Sequence, residues 1–247
     1  MMLKIATYNI HKGFSLFNRR VVLHELRERL RELDADVVFL QEVQGEHAHH
    51  PARHANYPVE PQHEFIAEDV WQHHIYGKNS VYQAGHHGNA ILSRFPMLHT
   101  HNANVSAHRF ESRGLLHAEI AAQNGEAIHC LCTHFGLFAQ GRRQQAAWLI
   151  DYVQQHIPLD APLMIAGDFN DWQNQLGDML ARELAINDVF QQHQGQPARS
   201  FPAAFPLLRL DRIYTRGFTV QQCNVHHGAA WRHISDHAAL SAQLQRV

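Results

Sequence analysis

Two stretches of this chain are built on the same plan, and that plan admits few folds. Near the start, "KIATYNI" (Lys4 to Ile10) and "DVVFLQEV" (Asp36 to Val43) are apolar runs of strand length. Between them Val22, Leu23, Leu26, Leu30 and Leu33 recur at helical spacing, with Asn18 as the candidate cap. Later, "AIHCLCTH" (Ala127 to His134), a helical pattern over roughly Gln140 to Gln155 and "PLMIA" (Pro162 to Ala166) repeat the order. Strand, helix, strand is the signature of a parallel pair joined by a crossover helix. Runs such as "VVFL" and "LMIA" carry no polar alternation, which predicts strands covered on both faces.

The grammar between and after these units is different. "NAILS" (Asn89 to Ser93) and "GLLHAEI" (Gly114 to Ile120) are short β-rich runs, and "QNGE" (Gln123 to Glu126) supplies an Asn-Gly hairpin turn into the next strand. A second helix is expected near Leu176 to Leu184, then strands at "RLDRIYT" (Arg209 to Thr215), "FTVQQCNV" (Phe218 to Val225) and "HAALSAQLQ" (His237 to Gln245). Parallel units combined with antiparallel hairpins predict an α/β fold: a four-layer sandwich of two mixed β-sheets flanked by helices. Gly45 to Gln83 reads as a polar, irregular insertion near the site with at most a short helix, and Phe190 to Arg209 as a candidate lid. No linker, repeat or low-complexity tract interrupts the chain, so residues 1–247 are expected to form a single domain.

Composition narrows the function classes. The 247 residues carry 21 Lys and Arg against 23 Asp and Glu, a formal net charge of -2, and the pI is about 6.9. Bulk charge of that kind does not grip nucleic acid, although a local patch can. The three cysteines form no metal or disulfide framework, and Cys130 and Cys132 sit in an apolar strand as small hydrophobes. The N-terminal segment has no long apolar run and no stretch reaches membrane-spanning length, which leads to the expectation of a soluble, cytoplasmic protein without an obligate protein partner. Histidine is abundant, 23 residues, clustered at His47, His49, His50 and His54, at His73 and His74, and at His86 and His87. The first cluster lacks helical spacing and lies beside Pro51 and Asn56, so a solvated loop is expected there rather than a ligand set.

The informative pattern lies where the strands end. "ATYN" stops at Asn9, "VFLQE" at Glu42, "HCLCTH" at His134 and "MIAGDFN" at Asp168 and Asn170; Asp211 interrupts "LRLDRIY", and Asp236 and His237 open the last strand. Each has an ordinary reading taken singly: a turn former, a surface acid, a core histidine, an ion-pair partner for Arg209 or Arg212, or, for Asp168, Asn170 and Asp171, an Asx turn before a helix. Their recurrence at strand ends points instead to one shared site. Hard oxygen donors with imidazoles, no thiolate and no H-E-x-x-H helix suit Mg²⁺ or Mn²⁺ rather than zinc, and the chemistry such a set supports is phosphoester hydrolysis.

The ordered series "TYNIHKG", "LQEVQ", "GNAILSR", "SRGLLHAEI", "CTHFG", "GDFND", "RLDRIYTRG" and "SDHAAL" resembles the motifs of the endonuclease/exonuclease/phosphatase family, from Ile5 to Leu240. The resemblance implies a DNase-like fold and a divalent-metal-dependent hydrolase. It implies Glu42 as principal metal ligand, with Asn9 and Asp236 near the metal. Asp168 is implied to orient or deprotonate the attacking water, Asn170 to hold a phosphate oxygen, and Asp211 to fix the tautomer of His237, whose imidazolium faces the transition state. His134 is implied to contact the phosphate or protonate the leaving group, and Arg113 to bind the phosphate or to serve as a structural ion-pair partner. His11 and Asn89 take a supporting place. Among substrates, a small-molecule or lipid-headgroup phosphodiester is expected; the alternatives are DNA, cleaved by an endonuclease or exonuclease, and a catalytically silent binding module.

Overall fold

The computed structural model describes residues 1–15, 20–108 and 111–247; the expected Asn18 cap lies outside them. The chain runs β1 (Met2–Asn9), α1 (Leu23–Leu33), β2 (Val37–His47), α2 (His50–Arg53), α3 (Gln62–Ala67), β3 (His73–Tyr82), β4 (Gly85–Ser93), β5 (Met97–Asn104), β6 (Gly114–Ala121) and β7 (Ala127–His134). It continues through α4 (Ala139–His156), β8 (Leu163–Asp168), α5 (Gly177–Leu184), β9 (Asn187–Asp188), α6 (Val189–Gln194), β10 (Asp211–Arg216), β11 (Phe218–His226) and β12 (Ala239–Arg246).

The strands form two six-stranded sheets, ordered β11-β12-β1-β2-β4-β3 and β5-β6-β7-β8-β10-β9. Pairs β1/β2 and β7/β8 are parallel, as their crossover helices require, while β1/β12, β2/β4, β6/β7 and β8/β10 are antiparallel. Both sheets are therefore mixed, as the sequence predicts.

Alternation within the apolar runs explains why they show no polar face. On β1 and β2, Ile5, Val37 and Phe39 face the second sheet, whose Cys130, Cys132, Met164 and Ala166 meet them in the central core. The intervening Ala6, Tyr8, Val38 and Leu40 pack outward against Leu23, Leu26 and Leu30 of α1 and Phe65 of α3. On the far side Leu131, Leu163 and Ile165 pack against Leu149 and Val153 of α4 and Leu180 of α5. With side chains alternating at period two, each run is buried on both faces, in one of three apolar layers.

Gly45 to Gln83 is not irregular. It holds the end of β2, two short helices and the ten-residue strand β3 at the sheet edge, with most of β3 half-buried or exposed. His49 is exposed as expected, but His47, His50 and His54 are half-buried: their rings pack against one another, Tyr57 and Phe14, with His50 and Tyr57 stacked at 5.2 Å.

A second imidazole cluster lies beneath α4. His117 bonds Tyr152 Oη at 3.0 Å through Nδ1 and His129 at 3.1 Å through Nε2, and its burial together with the neighbouring His129, His101 and His156 pushes its pKa down to about 4. His63, buried beside His74 and His86, is likewise held at about 4. An unfolded chain binds these protons near pH 6.5. Between these values the unfolded state holds more protons than the native one, so stability falls as pH drops through that window. The midpoint of thermal unfolding is expected to be several degrees lower at about pH 5 than at about pH 7; equal midpoints by calorimetry would contradict it.

Candidate active site

Both sheets deliver polar side chains to the same edge of the sandwich. β1 ends on Asn9, buried at 1% exposure. β2 changes register between Leu40 and Val43, and Glu42 sits at that bulge with φ +55, a left-handed conformation that re-aims its side chain. In the second sheet His134, Asp168 and Asp211 lie abreast: His134 pairs with Asp168 in the β7/β8 register, and Asp168 with Asp211 in the β8/β10 register. His237 arrives on the segment leading into β12, its N–H bonded to Ser235 Oγ at 3.2 Å. Ser235 Oγ in turn donates to the carbonyl of Asn9 at 2.7 Å, which ties this segment to the end of β1.

The side chains converge on Asp168. Its Oδ2 accepts from Asn9 Nδ2 at 3.1 Å and lies 3.5 Å from His134 Nε2 and 3.8 Å from His237 Nε2. Asn9 Nδ2 also reaches Glu42 Oε1 at 3.4 Å, which links the two carboxylates. His237 Nδ1 is 2.8 Å from Asp211 Oδ2, while Phe201 packs edge-on against its ring. Asn170 follows with φ +49; its backbone N–H bonds Asp168 Oδ1 at 2.9 Å and its Nδ2 donates to Phe135 O at 2.9 Å, leaving a second amide hydrogen.

Electrostatics divides the groups. Burial works to raise the Glu42 carboxyl, but His134, Lys12, His11 and His237 outweigh it and hold the group at about 2; with His134 itself uncharged at neutral pH, the Lys12 ammonium 3.4 Å away is the standing cation beside the Glu42 anion. Asp168 is pushed up, chiefly by burial and further by Asp211, against the pull of His237. His237 is pushed up too: burial opposes its charge, yet Asp211 and Asp168 on either side prevail. His134 is driven well down, by burial first and then by Arg113, and is a neutral imidazole. Two buried acids thus share one imidazolium, with a neutral histidine beside them.

Each residue expected from the sequence lies at this edge. Asn9, Glu42, His134, Asp168, Asp211 and His237 form one contact chain, and Asn170 joins it through Asp168. Asp236 stands off: its Oδ1 is 3.4 Å from His11 Nδ1 and accepts from Ser235 Oγ at 3.3 Å, not from the Asn9–Glu42 pair. The Arg113 guanidinium makes no ion pair among the described residues, and its buried Nε has no hydrogen-bond partner. It lines a narrow cleft with Glu42, Asn79, His87, Asn89 and His134. Asn89 donates to the carbonyls of Gly114 and Cys132 at 3.0 and 3.4 Å and so stitches the first sheet to the second.

The Asx reading holds beside the site reading: Asp168 Oδ1 accepts from the Asn170 N–H at 2.9 Å while its Oδ2 faces the histidines. Asp171 caps the next turn through Gln175 and Leu176 N–H groups at 3.0 and 2.8 Å, and Arg212 turns to Asp188 at 3.4 Å, leaving Asp211 to His237. Two cleft residues carry no signal of their own in the sequence. Lys12 Nζ lies 3.4 Å from Glu42 Oε2, and His87, its buried Nδ1 unpartnered, stands in the cleft with Arg113. Lys12 falls inside "TYNIHKG" and His87 just before "GNAILSR", and that adjacency is what could have found them.

The endonuclease/exonuclease/phosphatase family model matches residues 6–237. The chain belongs to the endonuclease/exonuclease/phosphatase family. It is 45% identical over 242 residues to YbhP of Escherichia coli K12, covering 98% of this chain and 95% of YbhP. A family structure from Beutenbergia cavernae superposes with a TM-score of 0.78 at 19% identity, over 99% of this chain and 72% of that one. A mannosyl-6-phosphatase of Bacteroides thetaiotaomicron gives 0.74 at 16% identity, over 98% and 99%. Family members hydrolyse phosphoester bonds and typically use divalent metals, and the hard-donor set at this edge fits such an ion: an ionised Glu42 beside the Asn9 amide, with two cationic or protonatable groups, Lys12 and His11, drawn against its carboxylates.

Because Asp211 raises His237, Asp211→Asn is expected to lower the pKa of that imidazole and leave the fold intact. Titration of the His237 ring by NMR reads this, and an unchanged midpoint would mean that Asp211 does not set it.

Proposed function

We propose that this protein is a divalent-metal-dependent phosphodiesterase that cleaves a small-molecule or lipid-headgroup phosphoester by in-line attack of water. The observation that carries the reading is the position of Asp168 Oδ2, within 3.1 to 3.8 Å of Asn9, His134 and His237. A carboxylate made more basic than usual, held between amide and imidazole donors, is built to position a water molecule and take its proton.

Glu42, with Asn9, would hold Mg²⁺ or Mn²⁺; Asp236, now 3.4 Å from His11 Nδ1, would have to turn from that contact to join them. When bound, the ion supplies neutralisation of the phosphate's non-bridging oxygens. The other groups act from fixed positions. Asp168 removes a proton from the water as the water oxygen bonds to phosphorus, and the leaving oxygen departs on the opposite side with the bond's electron pair and takes its proton from solvent. His237, kept protonated and correctly oriented by Asp211, faces the charge that accumulates on the non-bridging oxygens. His134 is neutral, so it donates an uncharged N–H hydrogen bond to the phosphate rather than a proton to the leaving group. The second amide hydrogen of Asn170 adds another donor, and the Arg113 guanidinium, without an ion pair among the described residues, binds the phosphate anion. None of these donors must reorganise as the transition state forms, which is how fixed dipoles accelerate a charge-building step.

The near-neutral chain and the small number of bases within the cleft favour a compact diester over duplex DNA, whose binding calls for many phosphate contacts. Phosphomonoester cleavage, the activity named for the Bacteroides thetaiotaomicron neighbour, is compatible with the same donors.

Hydrolysis of bis-p-nitrophenyl phosphate, p-nitrophenyl phosphate and supercoiled plasmid, each with Mg²⁺, Mn²⁺ or EDTA, tests the reading. Diester turnover that needs metal is expected, falling by about 10²-fold or more in Asp168→Asn and in His237→Ala; near-normal rates in either folded variant would sink that residue's role. Glu42→Gln is expected to weaken Mn²⁺ binding by about tenfold or more in direct titration, and unaltered binding would move the metal elsewhere.

A further inference from the structure

The rim around the catalytic mouth is chemically unlike the rest of the surface. Leu137 and Phe138, on the loop from β7 to α4, are 59% and 73% exposed; Phe205 and Leu207, on the loop into β10, are 70% and 52% exposed. Trp172, just past Asn170, joins them, and across the mouth Val59, Val81 and Tyr82 crown the tip where β3 turns into β4. All these loops leave the same edge that carries Asn9, Glu42, His134 and Asp168. Among the described residues, the remaining large apolar side chains in the open, apart from Leu208 beside Leu207, are Met2, Leu98, Leu159 and Val247, at the other end.

Charge is sorted in the same direction. Arg53, Lys78, Arg143, Arg199 and Arg232 are exposed at the mouth end, and none forms an ion pair among the described residues. Away from the mouth the bases are neutralised: Lys4 and Arg94 face Asp34 at 3.3 and 2.8 Å, Arg27 faces Glu68 at 2.8 Å and Arg246 faces Glu126 at 2.7 Å. Among the described residues of a chain with a net charge of -2, exposed cations without an ion pair thus stand where the loops also present Leu, Phe and Trp, with exposed Glu46 and Glu60 beside Val59 and Val81.

We propose that the mouth docks on an anionic phospholipid surface, with the rim side chains entering the interface and the five bases lying against the headgroups. Apolar insertion combined with a basic surround is the two-signal arrangement that gives stable interfacial attachment. Aliphatic Leu137, Leu207, Val59 and Val81 have no flat face on which a base can stack, so the rim suits acyl chains better than single-stranded nucleic acid. No helix among the described residues is long and apolar enough to cross a membrane, so attachment of this kind would be peripheral. This deepens the lipid-headgroup side of the functional reading but rests on the surface alone.

The test is co-sedimentation of the full chain with phosphatidylcholine vesicles, with and without phosphatidylglycerol, beside turnover of soluble bis-p-nitrophenyl phosphate. Binding only to the anionic vesicles is expected. Phe205→Ser with Leu207→Ser, two exposed positions outside the catalytic machinery, should lower it by about tenfold or more while soluble turnover stays unchanged. Arg199→Gln with Arg232→Gln should lower it by at least several-fold. Absence of binding, binding indifferent to the Phe205 and Leu207 changes, or DNA binding that vesicles fail to compete away would each overturn the proposal. Absent diester turnover with vesicle binding intact would instead count against the phosphodiesterase reading and leave the docking surface standing.

Discussion

Asp168 and Asp211 stand opposite one another on adjacent strands at 2% and 1% exposure, and two carboxylates so placed cannot both be ionised without a cation between them. His237 is that cation. Its ring touches both, and its own charge persists under burial only because they are there. None of the three is tenable alone: remove the imidazole and an acid must take up a proton, remove an acid and the histidine tends toward neutrality. The trio is held in this state by the β8/β10 register on one side and by the serine-anchored turn into β12 on the other.

That arrangement makes the site a property of how the two sheets pack. Asn9 and Glu42 come from the first sheet, His134, Asp168 and Asp211 from the second, and His237 from the connection between β11 and β12 of the first. The hydrogen bond from Asn9 to Asp168 spans the layers, as does Gln41, which donates to Cys132 Sγ at 3.2 Å. Ile5, Phe39, Cys130 and Met164 therefore set site geometry as well as stability, because their volumes fix the distance between the sheets.

The central strands were legible in the sequence, as was the edge strand β11, but the edge strands β3 and β5 were not, for a physical reason. β1, β2, β7 and β8 are buried on both faces, so they announce themselves as continuous apolar runs ending in a polar residue. β3 and β5 lie at sheet edges and are mostly half-buried or exposed, and "HHIYGKNSVY" and "MLHTHNAN" accordingly show neither a run nor a clean alternation. The site divides the same way. Asn9, His134 and Asp168 could be picked out because each terminates a readable strand, and Glu42 because it ends the apolar run of β2, although the strand itself continues past it to His47. Lys12 and His87 sit on a short turn and near an ill-patterned strand start, so only their adjacency to readable motifs points to them. Asp236 was readable as a residue, but that its contact would be with His11 was not.

One local feature bears on how such a chain changes over generations. Glu42 adopts a left-handed backbone, as do His11 and Lys12 beside it; for residues other than Gly, Asn or Asp this costs about 1 kcal/mol or more each. The residue proposed to hold the metal is thus one whose backbone would be relieved of strain by its loss. Glycine at this position would adopt the same conformation freely, so on the proposed reading the carboxylate is kept against a local conformational cost that inactivation would remove.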